Sequence, residues 1–145
     1  MDWILWLHIV AVLLAFALLP GLGLTMRFIA ATCEQQTVRN VFTKVGTLLN
    51  IGGGAIGVTV ITGLVLAAKI GFLQPWLIAT YVLVVLTGIL ANTIDAPWAK
   101  RLAAAEGATF DAVRKESLPA LAIYLYLAAW FAIAWLNIVK PGAST

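Results

Sequence analysis

The sequence is poor in the residues that build most metal and redox sites. Its 145 residues include one cysteine, Cys33, and one histidine, His8. A lone cysteine excludes a disulfide within the chain and a metal site built from clustered cysteines. A lone histidine likewise excludes a histidine-rich metal site and a haem held by two histidines of the same chain. We therefore expect no metal site formed by this chain alone.

Charged residues are also scarce, at 10% of the chain, whereas 63% of the residues are hydrophobic. A small soluble domain keeps a large exposed surface and cannot bury so much apolar material. Lipid must therefore be the solvent for most of the chain. The sequence shows no pair of carboxylates with a histidine and no nucleophile beside a base, so it leans away from an enzyme.

Four apolar runs are long enough to cross a bilayer as helices, which takes about 20 residues. They cover approximately residues 3–27, 45–69, 76–96 and 118–139. Pro20 predicts a kink in the first run, whose helix should continue past Arg27 toward Cys33. Pro97 should end or bend the helix of the third run. The short link before Pro75 should make the second and third spans antiparallel neighbours. The sequence thus predicts an all-α, integral membrane four-helix bundle, with residues 1–145 forming a single domain.

The basic residues indicate an orientation. Seven of the nine fall in the first and third links, namely Arg27, Arg39, Lys44, Lys100, Arg101, Arg114 and Lys115. Because short cytoplasmic links carry an excess of lysine and arginine, both termini should lie on the outer, periplasmic side of a bacterial inner membrane. Residues 98–117 would then be a cytoplasmic segment. Its acidic and basic residues are nearly balanced, which argues against nucleic acid as a partner.

The second span carries a face of small residues. On a helical wheel Gly46, Asn50, Gly53 and Gly57 align, and Gly53 with Gly57 forms a GxxxG pair that lets another helix approach closely. Asn92 lies at the same depth in the third span, so the two asparagine amides are expected to bond across helices. We predict that these five residues serve helix packing. A second interpretation is that the glycines leave room for a flat ring such as haem.

His8 is the residue most suited to chemistry. It lies about 7–8 Å below the start of the first span, at 1.5 Å per residue. An ionisable residue at that depth suggests a functional site. One interpretation is an axial haem ligand or a proton-handling group. The other is a neutral histidine bonded to a residue of similar depth, for which Thr62, Thr80, Tyr81 and Asn137 are candidates.

Several short motifs resemble those of a known family. Leu7-His8, the basic first link, Thr62-Gly63 and Pro75-Trp76 resemble a family of small bacterial four-helix integral membrane proteins of unknown function. The early Leu-His is more distantly similar to copper-resistance D-type proteins and HemJ-type protoporphyrinogen oxidases. In the HemJ-type family a first-helix histidine is tied to haem and a later helix supplies an essential lysine. His8 matches the former, while residues 76–96 contain no lysine.

These observations lead to two expectations about function. The first is a non-catalytic accessory subunit that packs against a larger membrane complex, with the lipid bilayer and either other membrane subunits or a second copy of the chain as partners. The alternative is a redox membrane protein that binds haem through His8. A transporter fits less well, because the chain has neither an inverted repeat nor a charge at the middle of the membrane.

Overall fold

The computed structural model describes residues 2–140, and every element among them is helical, with no strand. Met1 and residues 141–145, the ends of the predicted domain, lie outside the described residues. The helices are α1 (Asp2–Phe16), α2 (Leu22–Thr32), α3 (Gln35–Ile70), α4 (Pro75–Leu90), α5 (Ala96–Ala104), α6 (Gly107–Arg114) and α7 (Ser117–Val139). Two π-helical turns, Ala17–Gly21 and Ala91–Asp95, join α1 to α2 and α4 to α5.

Four helical stretches are long and apolar enough to cross a membrane, which confirms the predicted all-α class and the number of candidate spans. They are Trp3–Thr32, Gln35–Ile70, Pro75–Ala104 and Gly107–Val139, the last of which includes the turn between α6 and α7. The first three, with 30 to 36 residues, correspond to roughly 45–54 Å of helix, more than the ~30 Å hydrocarbon core. The excess gathers at the end of the bundle where α3 begins and α4–α5 finishes. We call this the corner end, and the opposite end, with residues 71–74, the loop end.

Both predicted proline sites coincide with a π-helical turn. Pro20 lies within Ala17–Gly21, and Pro97 follows Ala91–Asp95 by two residues. Proline removes a backbone donor and collides with the carbonyl four residues earlier. A wider turn accommodates that defect while the helix continues. The first helix therefore runs on to Thr32, as expected, and the third continues through Pro97 to Ala104 rather than ending there.

The pairing of the helices differs from the expectation. The main packing pairs are α1 with α3 and α4 with α7, whereas α3 and α4 make little contact with each other. The link between them is as short as expected, and Gly71, with φ +92°, turns the chain there. A short link brings two helix ends together without choosing which faces pack. Here small side chains decide, since Ala15 of α1 is fully buried in the cluster that contains Ala55 of α3.

The largest buried cluster lies at the corner end. It joins α2, α3, α5 and α6 through Met26, Ala30, Val38, Phe42, Trp98, Leu102, Ala105, Phe110 and Val113. α3 begins at Gln35, ten residues before the second apolar run, because Val38 and Phe42 bury their side chains here. α6 contributes Phe110 and Val113 to the same cluster. We call α5, α6 and residues 35–44 the polar corner.

Candidate functional site

His8 is held between α1 and α3 near the loop end. Its Nδ1 lies 2.9 Å from Oγ1 of Thr62. The Thr62 hydroxyl donates its single hydrogen to the carbonyl of Val58, 2.7 Å away. With its hydrogen on Val58, Thr62 accepts from His8, and this arrangement puts the ring hydrogen on Nδ1 and leaves the lone pair on Nε2 of the neutral ring. The sequence named Thr62 among four candidate partners, and the structure selects it.

Gly63 makes room for the imidazole. A Cβ atom placed on Gly63 would lie 3.2 Å from Cε1 of His8, tighter than ordinary van der Waals contact. The Thr62-Gly63 pair therefore supplies both the hydrogen-bond partner and the space for the ring. Two of the other candidate partners form a separate link: Asn137 Nδ2 donates to Thr80 Oγ1 at 3.4 Å and to the carbonyl of Ile133 at 2.8 Å. The buried Tyr81 hydroxyl has no hydrogen-bond partner among the described side chains.

The site offers one ligand nitrogen and no metal cluster. Across residues 3–140, no three histidine, cysteine, aspartate or glutamate side chains come together. Nε2 of His8 can donate its lone pair to one acceptor, either a proton or a metal ion held in a flat ring. The orienting hydrogen bond at the other nitrogen is typical of metal-binding histidines and equally of structural ones.

The glycine face of α3 does not serve packing within the chain. A Cβ atom added at Gly46, Gly53 or Gly57 would meet no atom within 4 Å, and Asn50 and Gly53 are exposed. The packed side of α3 carries other glycines instead, Gly52 and Gly63. The sequence contained that signal, because residues 52 and 63 are 11 apart, which is three helical turns. No helix among the described residues contacts the Gly46–Gly57 face, so helix packing there stays a prediction about contacts outside the chain.

Asn50 and Asn92 do not form the expected amide pair. Asn92 Nδ2 donates to the carbonyl of Gly88 in its own helix, at 2.8 Å, and the Asn92 side chain is exposed. Because α3 and α4 make little contact, equal depth does not bring the two amides together. Asn92 thus satisfies part of its amide locally, and a packing role for it stays a prediction about contacts outside the chain.

Side chains of α3 tie down the polar corner. Gln35 Nε2 donates to the carbonyl of Ala105, and Gln35 Oε1 accepts from the backbone N–H of Gly107, each at 3.2 Å. Arg39 donates to the carbonyl of Ala103 and pairs with Glu106, also at 3.2 Å. The carbonyls that end a helix have no partner within it. These two side chains supply partners and fix the α5–α6 turn onto α3.

A second group of polar contacts at the corner end involves Arg27. The Arg27 guanidinium lies over the Trp98 ring, 4.5 Å from its centre, and Nη2 donates to the carbonyl of Glu116 at 3.3 Å. Trp98 Nε1 in turn donates to the carbonyl of Val113. Sequence reasoning assigned Arg27 only to charge balance. Its hydrogen-bond acceptor at Glu116 lies 89 residues away along the chain and could not be found from spacing.

The Glu116 carboxylate forms two hydrogen bonds with Arg101, at 2.6 and 2.8 Å. Glu116 lies outside the four apolar runs, and the hydrogen bonds from Arg101 hold the pKa of its carboxyl below the ordinary value. The pair therefore stays ionised at neutral pH. Its contribution to stability is lost only as the pH falls through that lowered pKa.

Comparisons of the chain with protein-family models, with curated proteins and with solved structures give no match.

Proposed function

We propose that this chain is a non-catalytic subunit of the membrane that packs against another membrane protein through the outer face of α3. The observation that carries the proposal is that Gly46, Gly53 and Gly57 have open space where a Cβ would be. These three residues and Asn50 define what we call the outer face. It points away from the rest of the chain.

Glycine on an unpacked helix face has a cost. In soluble helices it is less favourable than alanine by about 1 kcal/mol. In a membrane, small residues four apart are favourable where a second helix approaches closely, because backbones then come into contact. A helix from another chain would also offer the Asn50 amide a partner inside the lipid. The outer face is thus suited to a contact that a single copy does not make.

The membrane and the orientation belong to the same proposal. We place the chain in a bacterial inner membrane, with the corner end in the cytoplasm and the loop end outside. The support is the distribution of basic residues, since Lys100, Arg101, Arg114, Lys115 and Arg39 all belong to the corner end. Lys69 and Lys140 lie at the loop end.

The test adds a bulky side chain to the outer face and compares the effect with that of the same substitution at a glycine of another helix. Gly53→Leu and Gly57→Leu should release the chain from its partner during purification in mild detergent. Gly88→Leu is the control, because Gly88 of α4 also has open space around its Cβ position. It should leave the complex intact. The mass of the purified particle shows whether the partner is a different protein or a second copy.

Two outcomes contradict this proposal. One is a solitary, monodisperse monomer obtained from native membranes under the same mild conditions. The other is an equal loss of partner in the Gly53→Leu and Gly88→Leu variants, which would mean that any added bulk disturbs the chain. Because none of these glycines contacts a neighbour, all three variants should keep the helical content of the natural chain.

The second candidate function is haem binding through His8. It is favoured by the hydrogen bond to Thr62, which leaves Nε2 of the neutral ring as the ligand atom. With one histidine, the haem would be five-coordinate or shared with another subunit. Bound haem would supply one-electron chemistry, and His8 would hold its iron.

An absorption spectrum distinguishes the two candidates. Protein purified gently from its native membrane should show a Soret band, with sharp bands after dithionite, if His8 binds haem. His8→Ala should then abolish the pigment and Thr62→Val should weaken its retention, whereas Thr80→Val leaves it unchanged. A spectrum with tryptophan and tyrosine absorption alone would remove the haem candidate and leave the subunit proposal to its own test.

A further inference from the structure

A cleft of about 280 Å³ opens on the side of the bundle at the corner end. It lies between α2 and the α6–α7 turn and is lined by Leu24, Arg27, Phe28, Ala31, Arg114 and Tyr124. The lining joins two arginines with exposed apolar side chains: Phe28 is 68% exposed and Leu24 is 45% exposed. The cleft is therefore amphipathic, basic in one part and apolar in another.

The position of the cleft matches the boundary between lipid and water. Arg114 ends α6 outside the apolar runs, whereas Tyr124 lies seven residues into α7, roughly 10 Å deeper at 1.5 Å per residue. Leu24 lies one turn deeper than Arg27 or Phe28 along the first helix. A molecule in the cleft would thus contact arginines near the headgroup level and apolar side chains below it.

The two arginines that line the cleft keep hydrogen-bond donors without an acceptor. Arg114 forms one ion pair, to Asp111 at 2.7 Å, and a guanidinium has five N–H donors. Arg27 donates to a carbonyl and lies over the Trp98 ring, but no carboxylate of residues 3–140 lies within ion-pair distance of it. Its Nη1 is buried and has no hydrogen-bond partner among the same residues.

The cleft is lined by two arginines and by no acidic residue. Asp111 pairs with Arg114, and Glu116 is held by Arg101 in two hydrogen bonds. Asp95 attracts Arg27 without forming an ion pair within 4 Å. A phosphate group suits this lining, because the planar fork of arginine donates two parallel hydrogen bonds to phosphate oxygens.

We infer that this cleft binds an anionic phospholipid of the surrounding membrane. The phosphodiester lies against Arg27 and Arg114, and one acyl chain runs along Leu24 and Phe28. Basic clefts between membrane helices bind anionic lipid headgroups in this way. A lipid fills the apolar part of the cleft with an acyl chain, whereas a free phosphate has no apolar group to bind there.

The experiment titrates the purified full chain, in a neutral detergent, with phosphatidylglycerol and with phosphatidylcholine of the same acyl chains. Native mass spectrometry counts the bound lipids. The natural chain should prefer phosphatidylglycerol, and Arg114→Gln should lower its affinity about fivefold, the effect of one basic group at an anionic headgroup. Arg114→Lys should recover part of the preference, and Lys100→Gln, at the same end but outside the cleft, should retain it.

Three results would overturn the inference. Equal affinity for the two lipids would remove the role of the charge, and an equal loss in Lys100→Gln would show a diffuse surface effect. Displacement of the lipid by inorganic phosphate at millimolar concentration would assign the cleft to a small anion. Arg27→Gln is a second variant with the same expected loss. If it unfolds because Trp98 loses its cation, Arg114→Gln still decides the question.

Discussion

At the scale of single residues, adjacent positions on α3 have opposite environments. A Cβ atom at Gly52 would lie 3.0 Å from the side chain of Leu19 and 3.1 Å from Cβ of Leu18, whereas at Gly53 it would meet nothing. One step along a helix turns the side chain by about 100°, so neighbours in sequence need not share a face. Gly52 serves contacts within the chain, and Gly53 is left for contacts outside it.

This difference predicts two opposite responses to the same substitution. Gly52→Ala should destabilise the isolated chain by about 1–3 kcal/mol, because the added methyl overpacks a closed contact in which the Cβ of Leu18 can move only with its backbone. Gly53→Ala should be neutral or slightly stabilising, because alanine favours the helix and has room. Thermal unfolding of the two variants in detergent measures both. Equal melting temperatures would show that α1 and α3 do not pack as described.

At the scale of elements, the length of α3 organises the molecule. Its 36 residues exceed what a bilayer requires, so its first turns stand outside the apolar core and carry Gln35 and Arg39 to the α5–α6 turn. Without that extension the turn would lose the side chains that satisfy its carbonyls. The same helix packs α1 with one side and exposes the outer face with another. The Gly53→Leu test therefore changes the exposed outer face of a helix that packs against α1 with another side.

The π-helical turns act at this scale as well. They allow helices with an internal proline to continue, so the third span delivers Trp98 and Leu102 directly into the buried cluster of the polar corner. If the helix had ended before Pro97, a loop would connect that cluster to the third span. Instead, a π-helical turn of five residues joins α4 to α5, so the helix continues from the third span into the polar corner.

At the scale of the whole molecule, the bundle is asymmetric between its ends. The corner end carries the largest buried cluster and all three ion pairs found among the side chains of residues 3–140. The loop end carries His8, a short turn and few charges. Lysine and arginine are retained on the cytoplasmic side of membranes, so this asymmetry sets the proposed orientation.

Cysteine labelling measures the orientation. Cys33, the single cysteine, lies at the corner end and is partly exposed. A membrane-impermeant maleimide should label it only after spheroplasts are permeabilised. A Cys33→Ser variant with Gln74→Cys, which places the thiol at the loop end, should be labelled in intact spheroplasts. The reverse pattern would place the corner end outside and contradict the proposed orientation.

The sequence by itself determined the solvent, the class of fold and the approximate spans. Apolar composition and run length are local quantities, and in lipid every backbone group must be satisfied within a helix, so four long apolar runs imply four helices. It also identified His8 with Thr62 as a candidate partner and located both proline turns. These follow from depth and from local backbone chemistry, which depend little on how helices are arranged.

Only the tertiary structure decided which faces meet. Asn50 and Asn92 have equal depth, yet α3 pairs with α1 and α4 with α7, so the two amides are not joined. The Gly46–Gly57 face and the Gly52–Gly63 face both have helical spacing, and the sequence cannot rank them because lipid and a packed helix are similarly apolar surroundings. The cleft between Arg27 and Arg114 likewise arises from residues far apart in the chain, where spacing carries no signal.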